Sequence, residues 1–396
     1  MQIFSTPSRI VITCHKWLAP ALHNEVAALG YAIEKTGQTS VTINGTIQDC
    51  IKLNLHLRCA SQVMYSLKSF PCTSPEELYN QLLPIAWEKI MMPNAYFSVT
   101  SNVSHSSINN GLFANLRVKD AIVDRMRNKT NQRPTSGPDP KGLVINLFWK
   151  YEEAEVFIDT SGETLAKHGY RKLPGKAPML EALAAATILS TKWNKQAPFV
   201  NPMCGSGTLA IEAALIATNR TPGLLRTNYA FMHLIGYQPA MYQAERAHLD
   251  TQIINPPNLQ IIASDISPLA IETAKTNAKA AGVEQYITFS VCDFERTTIP
   301  ISPEGVIMLN PEYGERLGEE TELEGTYARI GDFFKNKCNG YTGYIFTGNL
   351  PLAKKIRLKP SRKREFFNAT IDCRLFEYEL YAGTRRTDKL ENTDPA

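Results

Sequence analysis

Residues 199–217, Phe-Val-Asn-Pro-Met-Cys-Gly-Ser-Gly-Thr-Leu-Ala-Ile-Glu-Ala-Ala-Leu-Ile-Ala, constrain the fold more than any other stretch of the chain. A short apolar run reaches Asn201-Pro202, two glycines follow at Gly205 and Gly207, and a strongly helical segment begins at Thr208. That order predicts a strand, a tight turn and a helix. Glycine lets backbone approach a ligand closely, and the first turn of a helix offers unpaired N–H groups and partial positive charge. The turn is therefore a candidate cofactor cradle.

The chain has 396 residues, enough for two or three domains, with 43% hydrophobic and 20% charged residues. The start reads as lacking a signal peptide, and no stretch approaches the ~18 apolar residues of a membrane span. Eight scattered cysteines form no Cys-x-x-Cys pair, which argues against a metal ribbon or disulfide framework and predicts a reducing, cytoplasmic setting. No metal site is expected. Residues 354–364 hold seven positive charges (Lys354, Lys355, Arg357, Lys359, Arg362, Lys363 and Arg364) and no acid. A basic run is usually a solvated face, but beside a nucleic-acid site it becomes a phosphate contact. Residues 312–324 carry an acidic counterweight that includes Glu312 and Glu324.

Short β-like runs at Arg9–Thr13 and Ser40–Ile43, around an amphipathic segment Trp17–Leu29, predict a small α+β unit over residues 1–60. Residues 61–163 continue in that style, with helices near Pro75–Ile90 and Phe113–Arg127 and strands at Tyr96–Asn102, Leu143–Trp149 and Glu155–Asp159. The second helix carries Arg117, Lys119 and Arg125. Gly162–Pro178 has the composition of a linker. From Met179 onward, helices alternate with apolar strands, the pattern of a parallel α/β sheet. A final strand, Ile371–Tyr381, inserts antiparallel, and residues 384–396 read as a polar disordered tail.

Gly205-Ser-Gly-Thr-Leu-Ala210 fits the loose dinucleotide pattern, but position 225, where an acid is wanted, is Leu, and no lysine follows the glycines as a phosphate-binding loop requires. The next strand instead ends at Asp265, beyond an insertion of residues 219–258. A carboxylate there can accept from ribose hydroxyls, although a lone Asp at a strand end is often only a cap. The third strand ends in Asp293-Phe294, an acid suited to an adenine amino group and an aromatic suited to its ring. The fourth runs into Asn310-Pro311-Glu312-Tyr313. The lone pair of a nucleobase exocyclic amine is delocalised into its ring. Two acceptors, Asn310 Oδ1 and the Pro311 carbonyl, would localise it and align it on a donor carbon, while Tyr313 stacks on an extruded base.

Asn201-Pro-Met-Cys-Gly-Ser-Gly-Thr-Leu, Ala263-Ser-Asp-Ile-Ser and Asn310-Pro-Glu-Tyr-Gly-Glu-Arg-Leu-Gly together resemble the THUMP-domain S-adenosylmethionine-dependent RNA guanine-N2-methyltransferases, most of all the bacterial 23S rRNA family. Leu116-Arg-Val-Lys-Asp, Ile158-Asp-Thr-Ser-Gly through Arg171, Ala177-Pro-Met-Leu-Glu and Ile371-Asp-Cys-Arg-Leu extend the likeness over nearly the whole chain. The resemblance implies a class I methyltransferase (Rossmann-like) domain at 164–383 after a ferredoxin-like unit (1–60) and a THUMP RNA-binding domain (61–163), with the single-domain members as the nearest pattern. It implies S-adenosylmethionine as cofactor, held by Asn201, Met203, Cys204, Gly205, Ser206, Gly207, Thr208, Asp265, Ile266, Asp293 and Phe294. Asn310, Pro311 and Tyr313 would serve the target base, and Arg117, Lys119, Arg125, Arg171 and the 354–364 run would grip RNA, in rRNA or a precursor particle. Two positions depart from the family pattern: Asn201 stands where Asp is usual, and Glu312 where a second proline is usual. The alternatives are methylation of tRNA guanine N2 or adenine N6, or a non-catalytic RNA-binding or ribosome-assembly protein on the same fold.

Overall fold

The computed structural model describes residues 3–105, 111–173, 178–302, 304–313 and 320–381. In chain order its elements are β1 (Ser8–Thr13), α1 (Ala19–Ala28), β2 (Ile33–Thr36), β3 (Ser40–Gly45), α2 (Ile47–His56), β4 (Gln62–Pro71), α3 (Pro75–Leu82), β5 (Tyr96–Ser104), α4 (Gly111–Thr130), β6 (Thr135–Ser136), β7 (Leu143–Lys150), β8 (Glu153–Asp159), α5 (Glu181–Leu189), β9 (Phe199–Pro202), α6 (Thr208–Ala217), α7 (Pro239–Thr251), β10 (Ile261–Asp265), α8 (Pro268–Ala280), β11 (Ile287–Val291), β12 (Val306–Leu309), α9 (Glu320–Lys337), β13 (Thr342–Thr347), α10 (Leu350–Lys355), β14 (Arg362–Asn368) and β15 (Ile371–Glu379). They form two compact units. The first comprises residues 1–170, 180–186 and 218–254, and the second residues 171–179, 187–217 and 255–396.

The first unit is built on an eight-stranded sheet in the order β2-β3-β1-β4-β8-β7-β5-β6. Two of its helices, α2 and α3, start where the sequence supplies caps. Thr46 and Asp49 form a reciprocal capping box on α2, and Ser74 caps α3 with Pro75 in its first turn. The helix expected over Pro75–Ile90 stops at Leu82, two residues before Pro84, because proline has no N–H to continue the helical ladder beyond Leu83. β2 escapes a periodicity reading because three of its four residues are exposed at the sheet edge. β8 is buried on both faces rather than alternating.

The segment with linker composition is no loose connection. Leu165 N donates to Ser61 O at 2.8 Å, Thr164 Oγ1 donates to the same carbonyl at 3.2 Å, and the His168 ring lies 2.9 Å from Arg58 O. Leu165, Ala166, His168 and Tyr170 are all buried. Its residues 174–177 lie outside the described residues, as does the tail at 384–396. The expected insertion, residues 219–258, has no strand and carries α7; its part up to Ile254 packs with the first unit. There Arg226 donates to the carbonyls of Thr164 and Glu163 at 2.9 and 2.8 Å. The compact units thus interleave along the chain.

The second unit is a seven-stranded sheet in the order β11-β10-β9-β12-β13-β15-β14. β9 to β13 run parallel to one another, and β15 is antiparallel to both neighbours, as expected for the last long strand. All ten residues of α6 are buried, which accounts for its apolar character on every side. Ile307, Leu309, Tyr327, Ile330, Phe334 and Ile345 anchor one core cluster. β14 was not expected: its Arg-Lys-Arg-Glu start reads as part of the basic run, and it is an edge strand.

Asp159 is a buried carboxyl at the end of β8, and its burial pushes its pKa up to about 7 against the hydrogen bonds from Ser161 N, Gly162 N and Gln62. The folded state therefore holds a proton that the unfolded chain releases near 4, so stability falls as pH rises from about 4 to about 7. Asp159→Asn should flatten that slope. Thermal unfolding of both proteins across this window tests it, and parallel curves would exclude Asp159 as the source.

Candidate active site

In an open parallel sheet, ligands bind outside the carboxyl ends of the strands where strand order reverses. Here that point is β9, with β10 on one side and β12 on the other. The turn after β9 is unusual backbone: Met203, Gly205 and Gly207 have φ of 56°, 53° and 82°. Neighbouring groups hold it. Cys204 N donates to Ser264 O at 2.9 Å, Gly207 N to Cys204 O at 2.9 Å, and Gly205 N to Asp265 Oδ2 at 3.0 Å. Asp265 Oδ1 accepts from Ser267 N at 2.9 Å, so one carboxylate braces two loops.

The two glycines are needed for different reasons. A Cβ on Gly207 would lie 2.8 Å from Ala274 Cβ on α8, so close helix packing demands it. A Cβ on Gly205 would meet nothing within 4 Å. The space above Gly205 is open. Ile266, one residue past Asp265, is 71% exposed.

Asn201 is buried; its Nδ2 donates to Met308 O at 2.9 Å, and its Oδ1 has no hydrogen-bond partner among the described residues. Cys204 is buried, and that burial pushes its thiol pKa up, so it serves packing rather than chemistry. Ser206 Oγ and Thr208 Oγ1 lie 3.4 Å apart. Sequence reasoning missed Asn277 of α8, whose Nδ2 donates to Ser206 O at 3.2 Å and whose Oδ1 accepts from Lys172 N at 3.0 Å. The signal was a lone amide on the buried face of a helix.

Asp293 and Phe294 sit differently from the expectation. Arg329 of α9 donates to both Asp293 oxygens at 2.9 Å and to Glu295 at 2.6 Å. Burial alone would raise the Asp293 carboxyl, but Arg329 and the Glu295 amide outweigh it and hold it below its ordinary value. The Phe294 ring is 6% exposed, meets Phe333 edge-on and has the Arg329 guanidinium over its face. It is a core residue here, and the exposed apolar side chain beside the cradle is Ile266.

At the end of β12, Pro311 is buried, Asn310 and Tyr313 are half-buried, and Glu312 is exposed. Glu312 and Tyr313 each have a carbonyl held from outside this loop, and Asn310 has its side-chain oxygen held from within it. Tyr313 Oη donates to Asn310 Oδ1 at 2.8 Å, Tyr327 Oη donates to Glu312 O at 3.2 Å, and Asn349 Nδ2 donates to Tyr313 O at 3.0 Å. Thr347 Oγ1 lies 2.8 Å from Tyr327 Oη and accepts from Asn349 N. Burial pushes the Tyr313 phenol up, so it stays protonated and remains a donor. Tyr327, Thr347 and Asn349 were not foreseen; a Thr-Gly-Asn at the carboxyl end of β13 was the available signal. Residues 314–319 lie outside the described residues.

The expected RNA-gripping residues divide. Arg117 pairs with Glu76 at 2.7 Å, Arg125 with Glu88 through two bonds, and Lys119 lies 3.7 Å from Asp120. Arg171 donates to Met179 O and to Thr208 Oγ1 at 2.6 and 3.1 Å, clamping the start of α6. The basic run is not one patch. Lys354 and Lys355 end α10, and Lys355 pairs with Glu324 at 2.8 Å. Arg357 and Lys359 lie on the irregular segment between α10 and β14, and Arg362, Lys363 and Arg364 on β14. Among the described residues no cluster of three metal-ligating side chains occurs, and no helix is long and apolar enough to cross a membrane.

Family models match three successive parts of the chain: an RlmL ferredoxin-like domain at residues 9–64, a THUMP domain at 72–159 and an RMKL-like methyltransferase domain at 168–377. A ribosomal RNA large subunit methyltransferase K/L of Syntrophotalea carbinolica is 32% identical over 94% of this chain and 54% of its own length. The chain thus spans about half the length of the curated relatives it matches. Among solved structures, that of the methyltransferase SMU.472 complexed with SAH is 28% identical, with a TM-score of 0.86 over 96% of this chain and all of the other. A protein of Listeria monocytogenes named a predicted N6-adenine-specific DNA methylase is 29% identical, with a TM-score of 0.85 over 95% and 97% of the two chains.

The glycine pair separates fold from ligand. Gly207→Ala should lower the melting temperature through its clash with Ala274. Gly205→Ala should cost only about 1 kcal/mol of left-handed strain while weakening S-adenosylhomocysteine binding at least ten-fold by calorimetry. Equal affinity in Gly205→Ala and wild type would show that the open space is not the cradle.

Proposed function

This chain belongs to the RMKL-like methyltransferase family, and from that membership we propose that it transfers a methyl group from S-adenosylmethionine to the exocyclic N2 of a guanine in large-subunit (23S) rRNA. The observation that carries this reading is the loop Asn310–Tyr313, held by two outside hydrogen bonds and one internal one at the carboxyl end of the strand beside the glycine turn. The names of the relatives support RNA as substrate and ribosomal RNA as its class. The domain limits 1–60, 61–163 and 164–383 are part of the same proposal.

The cofactor supplies an electrophilic methyl on a sulfonium. Met203 to Thr208 and Asn201 cradle its methionine end, with the unmet Asn201 Oδ1 and the space over Gly205 as the observations of fit. Asp265 keeps lone pairs for the ribose, and Ile266 offers apolar cover. Asp293 would accept from the adenine amino group by sharing its carboxylate with Arg329.

Asn310 Oδ1 accepts one N–H of the target amine beside its bond from Tyr313, and the Pro311 carbonyl accepts the other. Together they turn the nitrogen lone pair toward the methyl. Tyr313 acts mainly through Asn310, by pinning the acceptor oxygen, and offers what remains of its ring face to the base. The amine loses its proton after transfer. Arg117, Lys119, Arg125 and the 354–364 run are the proposed phosphate contacts, with the paired ones exchanging carboxylate for phosphate. Arg171 is better read as a clamp on α6.

Adenine N6 is the second reading, favoured by the name of the Listeria protein. Digestion of rRNA from a strain lacking this protein, with mass spectrometry, decides. Loss of one N2-methylguanosine is expected; loss of N6-methyladenosine instead would transfer the proposal to adenine. Asn310→Ala should bind cofactor as wild type does and lower turnover by 10²-fold or more, the scale of one positioned transition-state contact. Undiminished turnover would remove that loop from the mechanism.

A further inference from the structure

The chain has tryptophans at 17, 87, 149 and 193. Three of them are buried and donate the ring N–H to a carbonyl: Trp87 to Leu82 at 3.0 Å, Trp149 to Cys72 at 3.0 Å and Trp193 to Ala197 at 2.7 Å. Trp17 differs on every count. It is 40% exposed, and its ring N–H makes no hydrogen bond among the described residues. Its backbone has φ of 70°, the left-handed region that a bulky residue avoids. Glycine or asparagine would take that conformation at lower cost.

The loop between β1 and α1 that carries Trp17 is pinned by its backbone. Cys14 N donates to Thr39 O at 2.9 Å, Ser61 N to Thr13 O at 2.7 Å and Leu18 N to His15 O at 3.1 Å. Cys14 and Leu18 are buried, so His15, Lys16 and Trp17 are the residues turned to solvent. These bonds would hold the loop with any side chain at position 17. A large ring kept at the surface on strained backbone, where the loop does not require it, points to a use outside the fold.

Charge selects that use. Lys16 Nζ lies 5.8 Å from the centre of the Trp17 ring. The three loops joined by those bonds, residues 14–18, 37–39 and 57–61, contain no Asp or Glu. Glu25 of α1, which meets the third loop, is turned to Arg58 N and Cys59 N at 3.0 and 2.9 Å. The turn between β7 and β8 makes the contrast. Tyr151 there also has a left-handed φ, 55°, and an exposed ring with Lys150 Nζ at 5.3 Å, but Glu152 and Glu153 follow it directly. A phosphate would be repelled at Tyr151 and not at Trp17. An exposed ring beside a cation, without acids, suits an unpaired base and its phosphate. Resting on the RNA reading above, we infer that Trp17 is a stacking platform for an unpaired base of the RNA, with Lys16 against the adjoining phosphate. This contact lies in the ferredoxin-like part of the chain, outside both the THUMP match and the basic run.

The test reads tryptophan emission of the full chain, in which Trp17 is the ring open to acrylamide. The ligands are a short oligouridylate and an equally long abasic ribose–phosphate strand. Saturating oligouridylate should shield Trp17 from acrylamide, and the abasic strand should not. Trp17→Gly should lose about ten-fold in affinity for oligouridylate and nothing for the abasic strand, and Trp17→Phe should regain most of the loss. Lys16→Ala should weaken both strands and reduce the salt slope by about 0.7, the single-strand value for one lost phosphate contact. Equal quenching with and without saturating oligouridylate, or a folded Trp17→Gly that keeps its preference for bases, overturns the platform. Shielding that grows with protein concentration in the absence of RNA overturns it in favour of a second copy of this chain. The quenching measurement uses the wild-type chain, so it holds whatever the variants' stability. The methyltransferase reading is decided separately, by S-adenosylhomocysteine calorimetry and the rRNA digest, so either can fail without the other.

Discussion

The Asp265 carboxylate, accepting from Gly205 N on one oxygen and Ser267 N on the other, is the interaction on which the second unit's site depends. Left-handed backbone at Met203, Gly205 and Gly207 is not self-sustaining. For an ordinary residue it costs about 1 to 2 kcal/mol, and Met203 bears that cost without glycine's relief. What sustains the turn is a ring of partners from outside it: Asp265 and the Ser264 carbonyl as acceptors, and the Asn277 amide as a donor to the Ser206 carbonyl. Asp265 thus does two jobs, bracing the turn while presenting remaining lone pairs beside it. A short side chain at that strand end is required by the first job alone, before any ligand arrives.

The other wall of the site depends on Asn201. Backbone pairing between β9 and β12 stops at Val200 and Ile307. Beyond it Asn201 Nδ2 reaches the Met308 carbonyl, so a side chain continues the ladder where the strands begin to separate. An aspartate in the family pattern would bring a second acceptor against that carbonyl. Asparagine brings a donor and leaves Oδ1 buried without a partner, a situation that is destabilising by about 1–3 kcal/mol until an N–H meets it. The substitution therefore exchanges a charge for a tighter strand junction and an acceptor still to be satisfied.

The alternation of strand and helix after Met179, the glycine turn and the ends of β10, β11 and β12 were legible because each is a local signal: a period, a glycine, an acid before a cap. Edge elements were not. β2 is mostly exposed and β14 hides in a basic run, so neither shows the alternation that burial imposes. The packing of residues 218–254 with the first unit was illegible for a different reason, since nothing in a segment's composition says which core it joins. Side-chain roles followed the same rule. Glycine needs were readable, whereas the burial of Phe294 and the grip of Arg329 on Asp293 arise from α9, more than thirty residues away.

Glu312 shows how one geometry can be reached by two chemistries. A second proline in this loop would fix φ and so hold the neighbouring carbonyls in place. Here the side chain is exposed and only its backbone carbonyl is engaged, by Tyr327, while Asn349 takes the next carbonyl and Tyr313 takes the Asn310 side chain. The constraint that proline places within the chain is supplied from α9 and from the N-cap of α10 instead. The loop needs rigid acceptors, and hydrogen bonds from buried neighbours provide that rigidity as well as a ring does. Glu312 is thus compatible with an ordered acceptor loop, and its carboxylate points to solvent rather than into the core that holds that loop.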